Sequence, residues 1–545
     1  MTALVILCFR YLIEYSGIWL FGMTDAENFE GLDIVVRSAM VIGGALLLGL
    51  LMQRYSPSAR RVGVVHVMER LSRHQGYLPL RNAVIQFFGG AIALISGQSG
   101  GREGPAIHLG ATAASLLGQK SKLPNNSIRT MVACGTAAAI ASSFNTPIAG
   151  VIFAMEVVMM EYTLASFIPV IVAAVSSTLI TQYFFGNAPA FTVVVDHSYS
   201  ALEIPYLVLG GIFIGAFAAG FIQLIQSFAR LNTWPFWIRV TFAGALTAAC
   251  GVLLPQVMGV GYDTVNLIMV TEVSLLLLIG ILFAKALTSA AAVGLGMPVG
   301  LIGPTMVIGA CLGGIFGNAL NFWQSADISL GLYVMVGMCA MMAAVLQAPL
   351  AALMAVIEMT ANTNIVLPAM VTIVVATLVS SQVFGQRSVF ISTLNTLGLQ
   401  YPPNPVTLHL QRIGATAIMD RAFVRLPQVV PRERANEIIE NGARWILVEE
   451  NESDKIRAAL NSADLAAFME ERGSEEDDIH LLELPGERMD VTSVDAQATA
   501  AQVQDALAKA QVEACLVQRT AAPMITPVVG IVTRRHLDNY RNLVE

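Results

Sequence analysis

The sequence predicts an all-α polytopic membrane domain followed by a small α/β domain. Three observations support this prediction: an apolar composition, apolar runs long enough to cross a bilayer, and an acidic C-terminal part. Of the 545 residues, 55% are hydrophobic and only 13% are charged, whereas soluble domains carry about 25% charged residues. Runs of about 20 apolar residues can span a bilayer, and they lie near 36–53, 164–185, 203–228, 238–257, 274–292 and 365–384.

Charge divides the chain into two parts. From Pro405 onward the sequence holds 15 Lys and Arg against 23 Asp and Glu, a net charge of −8, while the residues before it hold 16 against 15. We therefore expect a membrane domain at 1–400, a linker at 401–415 and a water-soluble domain at 416–545. Because the excess charge is acidic, we expect no nucleic-acid partner.

The cysteines give no sign of a disulfide or a metal centre. All six are scattered, mostly within apolar stretches, and none forms a Cys-x-x-Cys pair. Small buried hydrophobic residues account for them, so we expect no metal and no required cofactor. The sequence also offers no nucleophile–base pair, and we therefore expect a protein that is not an enzyme.

The membrane part contains two copies of one pattern. Residues 101–105 (Gly-Arg-Glu-Gly-Pro) match residues 300–304 (Gly-Leu-Ile-Gly-Pro) at an offset of 199, and the segments 147–156 and 349–358 match at an offset of 202. The repeated halves therefore lie at about 36–186 and 203–395. Duplicated halves whose apolar segments are broken by Gly and Pro indicate a transport site at their interface.

Small-residue packing between membrane helices is the alternative explanation of the repeated glycines. It accounts well for Gly110 and Gly309, but it does not explain a Gly-x-x-Gly-Pro break in both halves. Non-helical backbone at membrane depth is tolerated only where protein or a watery cavity satisfies it. The breaks therefore indicate a cavity.

Glu103 stands in the first break. A helix start presents unpaired N–H groups and the positive end of the helix dipole, which can hold an anion without a full charge. Gly104 and Gly303 mark the two clearest such starts. Capping is the simple role for a carboxylate there, but a carboxylate at membrane depth is costly and can act as a tethered anion that leaves when protonated. We therefore predict that Glu103 gates a path for small anions.

These residues resemble the CLC family of chloride channels and chloride/proton exchangers. The resemblance covers about 36–395 and implies a homodimer with one pore per subunit and two inverted halves in each subunit. It places Glu103 on the family's external gating glutamate. The motifs that carry the likeness lie at 101–105, 145–150, 300–304 and 358–360.

The resemblance also implies an anion site, from which this sequence departs. Val62 stands where the family has an anion-coordinating serine, Ile302 where it usually has Phe, and Phe390 where it has a tyrosine hydroxyl. With both hydroxyls lost, we expect the site to bind chloride weakly or to favour another small anion. The implied anion-site residues are Val62, Gly63, Val64, Arg102, Gly104, Leu301, Ile302, Gly303 and Phe390.

The proton path is the second departure. Exchangers of the family often carry an intracellular glutamate one residue after the position of Glu156, where this chain has Val157. Glu156 could substitute, although its repeat partner Glu358 favours a structural role. We therefore expect channel-like passage, with a proton-coupled exchanger as the alternative. His66 and His108 are candidate proton carriers or hydrogen-bonded core residues.

The tail resembles a pair of CBS domains. Residues 530–537 are close to the end of a CBS unit, and residues 459–465 are a weaker version. In nucleotide-binding CBS units an acidic residue in this turn holds the ribose. Asp464 fits that role, while Thr533 and His536 occupy the second turn. One adenine-nucleotide site per subunit and a purely structural dimerisation tail are the two alternatives.

Charge also predicts the orientation. A basic cluster indicates a cytoplasmic loop under the positive-inside rule, so we expect a multi-pass inner (plasma) membrane protein whose C-terminal domain is cytoplasmic. Its expected partners are a second copy of itself, small inorganic anions and the lipid bilayer. A nucleotide sensor whose membrane part mainly anchors it is an alternative function. Lys285, alone in an apolar run, either lines a vestibule or reaches the membrane surface. The cluster consists of Arg54, Arg60, Arg61, Arg70 and Arg73.

Overall fold

The computed structural model divides the chain into two compact units. The first comprises Met1–Lys120 and Ile128–Pro402, and the second comprises Ser121–Ser127 and Pro403–Glu545. The predicted linker residues 401–404 lie outside the described part of the chain. The structure describes residues 1–21, 29–191, 203–271, 273–324, 330–399, 405–450, 455–471, 478–519 and 526–542.

The first unit is built from helices. Two of them, α7 and α16, continue into π-helical turns at Ala154–Met159 and Val379–Val383. The helices are α1 Thr2–Phe21, α2 Ile34–Gln53, α3 Gly63–Arg73, α4 Leu80–Ile95, α5 Glu103–Lys120, α6 Asn125–Phe144, α7 Pro147–Phe153, α8 Leu164–Phe185, α9 Ile204–Ala229, α10 Phe236–Leu253, α11 Tyr262–Val270, α12 Leu275–Gly294, α13 Ile302–Gln324, α14 Leu330–Leu346, α15 Pro349–Thr360, α16 Val366–Leu378 and α17 Val389–Thr396.

The predicted apolar runs form membrane-length helices. Among the described residues, eight helices are long and apolar enough to cross a membrane, and the six uninterrupted runs correspond to α2, α8, α9, α10, α12 and α16. Helix α14 is buried from Gly331 to Leu346, whereas α2 and α8 expose many large apolar side chains. Apolar surface of that extent requires lipid around it.

Helices begin at the Gly and Pro breaks of the sequence. Helices α5 and α13 begin at the two Gly-Pro motifs, and α7 and α15 begin at Pro147 and Pro349. Proline suits the first position of a helix because its missing N–H has no acceptor there in any case. The breaks therefore place four helix starts inside the membrane domain.

Repeated glycines allow close helix packing in both halves. A Cβ atom on Gly110 of α5 would lie 2.5 Å from the carbonyl oxygen of Gly135 on α6. Likewise, a Cβ atom on Gly309 of α13 would lie 2.5 Å from the carbonyl oxygen of Gly337 on α14. The small-residue explanation thus holds for these glycines, because only glycine permits backbones this close.

The second unit is a small α/β domain. A six-stranded sheet has the order β1-β3-β4-β6-β7-β8, and β2 pairs with β5 in a separate ladder. Its elements are α18 Pro405–Arg412, α19 Ala415–Ile418, β1 Phe423–Leu426, β2 Val429–Pro431, α20 Arg432–Glu440, β3 Trp445–Glu449, β4 Ile456–Asn461, α21 Ser462–Glu471, β5 Asp478–His480, β6 Met489–Asp495, α22 Ala500–Ala510, β7 Ala514–Gln518, β8 Val528–Thr533 and α23 Arg534–Asn542.

The same strand pattern occurs twice in this sheet. Strand β1 pairs in parallel with β3, which pairs antiparallel with β4, and β6, β7 and β8 repeat this arrangement. Helix α22 begins at Ala500, where Thr499 forms a capping box with Gln502. The unit therefore contains two similar α/β halves joined by the β4–β6 pair.

Candidate functional site

The two Gly-Pro breaks meet. The amide of Gly101 donates to the carbonyl of Gly300 at 2.8 Å, and the amide of Gly300 donates back to Gly101 at 2.7 Å. This is an isolated antiparallel bridge between segments that are 199 residues apart. Each break thereby satisfies backbone groups of the other, which is the requirement for non-helical chain at membrane depth.

Glu103 places its carboxylate across this junction. One oxygen accepts a hydrogen bond from the Tyr262 hydroxyl, and the other accepts from the amide of Gly303 at 3.3 Å. Gly303 lies in the first turn of α13, so the carboxylate of one half caps a helix of the other half. The side chain is 0% exposed. A negative group therefore occupies a helix start that could otherwise take an anion.

Most of the predicted anion-site residues line one cavity. This cavity of about 510 Å³, here called the Phe390 cavity, also contains Gly300 from the second break. Glu103 itself does not line it, although its neighbour Gly104 does. The structure thus brings together segments that are more than 300 residues apart in sequence. The predicted residues found there are Val62, Gly63, Val64, Gly104, Leu301, Ile302 and Phe390.

The Phe390 cavity is basic. Arg60, Arg61 and Arg239 line it, together with Glu69, which is paired with Arg61. An excess of positive side chains raises the local concentration of anions. These residues belong partly to the basic cluster that the sequence shows, so the charge pattern and the cavity coincide.

The amide of Gly63 already has an acceptor. It donates to the side-chain oxygen of Gln86 at 2.8 Å, and the amide group of Gln86 donates to the carbonyl of Pro298 at 2.9 Å. At the start of α3, Val62 contributes an apolar side chain. The backbone of this helix start is therefore tied to the second half of the unit by Gln86, a residue that the sequence did not single out.

Arg102 does not line the Phe390 cavity. It lines a second cavity of about 610 Å³, here called the Tyr262 cavity, together with Glu14, Tyr262 and Asp263. The Arg102 guanidinium lies 3.1 Å from the Glu14 carboxylate and 5.5 Å from the centre of the Tyr262 ring. The Glu103 carboxylate therefore bonds a residue of the Tyr262 cavity while its neighbour Gly104 lines the Phe390 cavity.

Tyr262 is the functional candidate that the sequence prediction missed. Its ring packs edge-on against Phe191, with centroids 5.7 Å apart, and its hydroxyl faces Glu103. Tyr262 follows Gly261, whose φ of +90° favours glycine. No local pattern marks this tyrosine, because it reaches Glu103 across 159 positions.

Lys285 holds the turn that precedes Tyr262. Its ammonium group donates to the carbonyls of Val257 and Gly259 at 3.1 and 2.9 Å, and the side chain is 0% exposed. Lys285 therefore neither lines a vestibule nor reaches the surface. A lone lysine in an apolar run was the signal that could have indicated this support.

Glu156 and Glu358 form a reciprocal pair of helix caps. Glu156 accepts from the amides of Leu350 and Ala351 at the start of α15, at 3.3 and 2.8 Å. Glu358 accepts from the amides of Ile148 and Ala149 at the start of α7, at 3.0 and 2.8 Å. Val157 lines a cavity of about 360 Å³ beside Glu156.

The nucleotide candidates lie in the second unit. Asp464 is in the first turn of α21, close to Gly486, and Thr533 and His536 lie where β8 meets α23. Asp420 pairs through its backbone with Ile531 of β8, and its carboxyl has a shifted pKa. Burial alone would raise the pKa of its carboxyl, but hydrogen bonds from Ala422, Trp445 and Arg444 outweigh burial and hold this pKa below its usual range.

A metal site has no support in the described part of the chain. Nowhere in it do three or more His, Cys, Asp or Glu side chains converge closely enough to hold a metal ion.

Helix breaks that meet inside a duplicated helical domain are typical of membrane transport proteins. The chain belongs to the CLC family, because the family model described as voltage gated chloride channel matches residues 44–381, more than half of its length. The sequence resemblance is confirmed at this level.

Some related proteins are described as channels and others as exchangers. A Ralstonia nicotianae protein that is named as a ClcB-like chloride channel protein is 31% identical over 404 residues, which cover 72% of this chain and 94% of that protein. The H(+)/Cl(−) exchange transporter ClcA of Yersinia pestis is 29% identical over 355 residues, covering 63% of this chain and 74% of that transporter.

Solved structures show the same fold. A slow cyanobacterial Cl−/H+ antiporter matches with a TM-score of 0.64 and 21% identity, over 73% of this chain and 95% of the antiporter. A eukaryotic CLC transporter matches with a TM-score of 0.59 and 19% identity, over 98% of both chains.

Proposed function

We propose that this protein moves chloride or a similar small anion across a membrane in exchange for protons, with Glu103 as the gate. The observation that carries the proposal is the position of the Glu103 carboxylate. It caps α13 through the amide of Gly303, at a helix start where an anion would bind. It also accepts a hydrogen bond from Tyr262, which lines the Tyr262 cavity, while its neighbour Gly104 lines the Phe390 cavity.

One carboxylate at such a position links anion and proton movement. When ionised, it acts as a tethered anion at the start of α13 and blocks the path. A proton removes its charge, which weakens both hydrogen bonds that it accepts. The neutral side chain then leaves, and a free anion takes its place. Anion entry and protonation of Glu103 are therefore coupled.

The exchanger replaces channel-like passage as the favoured function. Val157, in place of an inner glutamate, is the basis for expecting a channel. The names of the ClcA relatives and of the antiporter structure support the exchanger alternative better. If the protein moved chloride but no protons, channel-like passage would be supported instead.

The Glu103→Gln variant tests the gate. In proteoliposomes with a chloride gradient, we expect the wild-type protein to drive protons uphill. Glu103→Gln removes the titratable group and keeps the shape, so it should carry chloride without proton movement and without pH dependence. Wild-type flux and pH response in the variant would overturn the gate, and chloride flux without proton movement in the wild type would overturn exchange.

We propose that the anion site binds chloride weakly. Val62 and Phe390 supply no hydroxyl to it, so backbone amides carry the binding. Val62→Ser restores a donor, and a hydrogen bond to a charged group contributes about 1.5–3 kcal/mol. Calorimetric titration should therefore show chloride affinity at least tenfold higher in the variant. Tight chloride binding by the wild type would contradict the proposal.

The assembly and orientation also belong to this proposal. We infer a homodimer with one pore and two inverted halves per subunit, in the plasma membrane, with the C-terminal domain in the cytoplasm. The antiparallel bridge between Gly101 and Gly300 supports inverted halves, and the arginines of the Phe390 cavity support a cytoplasmic opening there. Cross-linking in membranes and protease access to the C-terminal domain test these points.

The repeated strand pattern of the second unit supports a CBS pair. Such a pair would serve dimerisation or hold one adenine nucleotide at Asp464, Thr533 and His536. Equilibrium dialysis of the full-length protein with labelled ATP separates these roles. Binding that Asp464→Ala abolishes would support the nucleotide site, and no binding would leave the structural role.

A further inference from the structure

Two histidines form a buried hydrogen-bonded pair beside the Phe390 cavity. Nδ1 of His66 lies 2.8 Å from Nε2 of His108, and the ring centroids are 5.1 Å apart. His66 is 5% exposed and His108 is 0% exposed. Nδ1 of His108 has no hydrogen-bond partner among the described residues.

The pair connects the Phe390 cavity with the helix that carries the gate. His66 lies in the first turns of α3 and lines the cavity. His108 lies on α5, five residues after Glu103, which is about 7.5 Å along the helix axis. Helical side chains tilt toward the helix N-terminus, and five residues turn about 140° around the axis, so a proton that leaves His108 must still cross the space between it and Glu103.

A purely structural role explains this pair poorly. Two neutral imidazoles share one proton between Nδ1 and Nε2, and the remaining nitrogen of His108 is then buried without a partner among the described residues. An unsatisfied buried polar group costs about 1–3 kcal/mol. Apolar side chains would fill the same space without that cost. The geometry instead suits a bond whose proton can shift from one ring to the other.

We propose that His66 and His108 relay protons between the Phe390 cavity and Glu103. This inference rests on the proposed exchange function. Val157 cannot carry a proton at the position where exchangers of this family often have a glutamate. The pair offers imidazoles in place of that carboxylate, at a different point of the same unit.

Each relay step moves one proton and changes no oxidation state. A proton binds Nε2 of His66, the proton on Nδ1 of His66 passes to Nε2 of His108, and the proton on Nδ1 of His108 leaves toward Glu103. The pair then holds its protons in the opposite tautomer. Rotation of both rings, or a proton passing in the reverse direction, resets it.

Charged groups around His66 set the conditions for this relay. Arg61, Arg70 and His74 lie close enough to act electrostatically on His66, and Glu69 lines the same cavity. Burial of the ring, and after it the positive neighbours, disfavours a lasting imidazolium on His66. Glu69 forms an ion pair with Arg61.

The ratio of proton flux to chloride flux tests the relay. In proteoliposomes, His66→Gln and His108→Gln keep hydrogen-bonding groups but cannot pass a proton along. We expect each to lower proton flux at least tenfold relative to chloride flux. His66→Glu returns a titratable group to the cavity wall and should restore part of the proton flux. His480→Gln, the same substitution on β5 of the second unit, should keep the wild-type ratio.

The outcomes separate the relay from the exchange function. A wild-type ratio in both Gln variants would overturn the relay and leave exchange intact. A wild-type protein that moves no protons would overturn both. If one variant fails to fold, the other still tests the relay, because the relay needs both imidazoles. Equal loss of proton and chloride flux, with no rescue by His66→Glu, would assign the pair a structural role.

Discussion

The Tyr262 hydroxyl determines how firmly the Glu103 carboxylate is held at the start of α13. Phe144 and Phe191 pack against its ring, and Lys285 holds the turn before it. The tyrosine is therefore presented by a rigid support. A hydrogen bond to a charged group contributes about 1.5–3 kcal/mol, enough to shift the balance between a docked and an undocked carboxylate.

Tyr262→Phe removes this hydrogen bond and keeps the ring. We expect the docked carboxylate to be less populated, so that chloride flux at neutral pH rises about tenfold and depends less on pH. Chloride efflux from proteoliposomes across a pH series measures this effect.

Tyr206→Phe is the matched control. Its hydroxyl donates to the carbonyl of Phe316 at 2.7 Å, away from Glu103, so this variant should keep wild-type flux. Unaltered flux and pH response in Tyr262→Phe would show that the hydroxyl does not hold the gate.

The sequence could predict Glu103 but not its partners. A carboxylate within a Gly-Pro break is a local pattern, and the apolar setting makes it conspicuous. Tyr262 is an ordinary aromatic residue in sequence, and only the fold brings it to Glu103. Gln86 is similar, since its bonds to Gly63 and Pro298 span 23 and 212 positions.

At the scale of elements, the two breaks depend on backbone proximity. A Cβ atom on Gly104 would lie 2.7 Å from the Cα atom of Gly300, a distance that real Cβ contacts do not reach. The motif predicted where α5 and α13 begin, because Gly and Pro mark helix starts locally. It could not predict that the two breaks bond to each other, since pairing depends on the whole fold.

Gly104→Ala tests this proximity. The added methyl group must push the two breaks apart, and overpacking of this kind costs about 1–3 kcal/mol. We expect a lower midpoint of thermal unfolding in detergent and reduced chloride flux.

Gly43→Ala provides the comparison for that variant. A Cβ atom on Gly43 of α2 would meet no heavy atom within 4 Å, so stability and flux should remain at wild-type levels. If Gly104→Ala and Gly43→Ala had the same unfolding midpoint and the same chloride flux, the two breaks would tolerate being pushed apart.

At the scale of the whole molecule, composition predicted the helices better than it predicted the sheet. Long apolar runs are unambiguous because a membrane requires them. Composition says little about the sheet, because its strands are short and their order depends on pairing between distant segments. The expectation of channel-like passage rested on one position, Val157, and one position is a narrow basis for a function that the whole membrane domain performs.

The reciprocal caps of Glu156 and Glu358 have a consequence for biosynthesis. The amide of Ile148 bonds a carboxylate that lies 210 positions later. Synthesis at about 5–20 residues per second takes roughly 10–40 s to cover that distance. Throughout this interval the start of α7 lacks its native partner, because α15, which packs against α7, has not yet been made. The second half therefore completes the first. If a ribosome stalls between the two halves, we expect the amides at the start of α7 to stay without their carboxylate, and we expect the cell's quality-control machinery to recognise that chain.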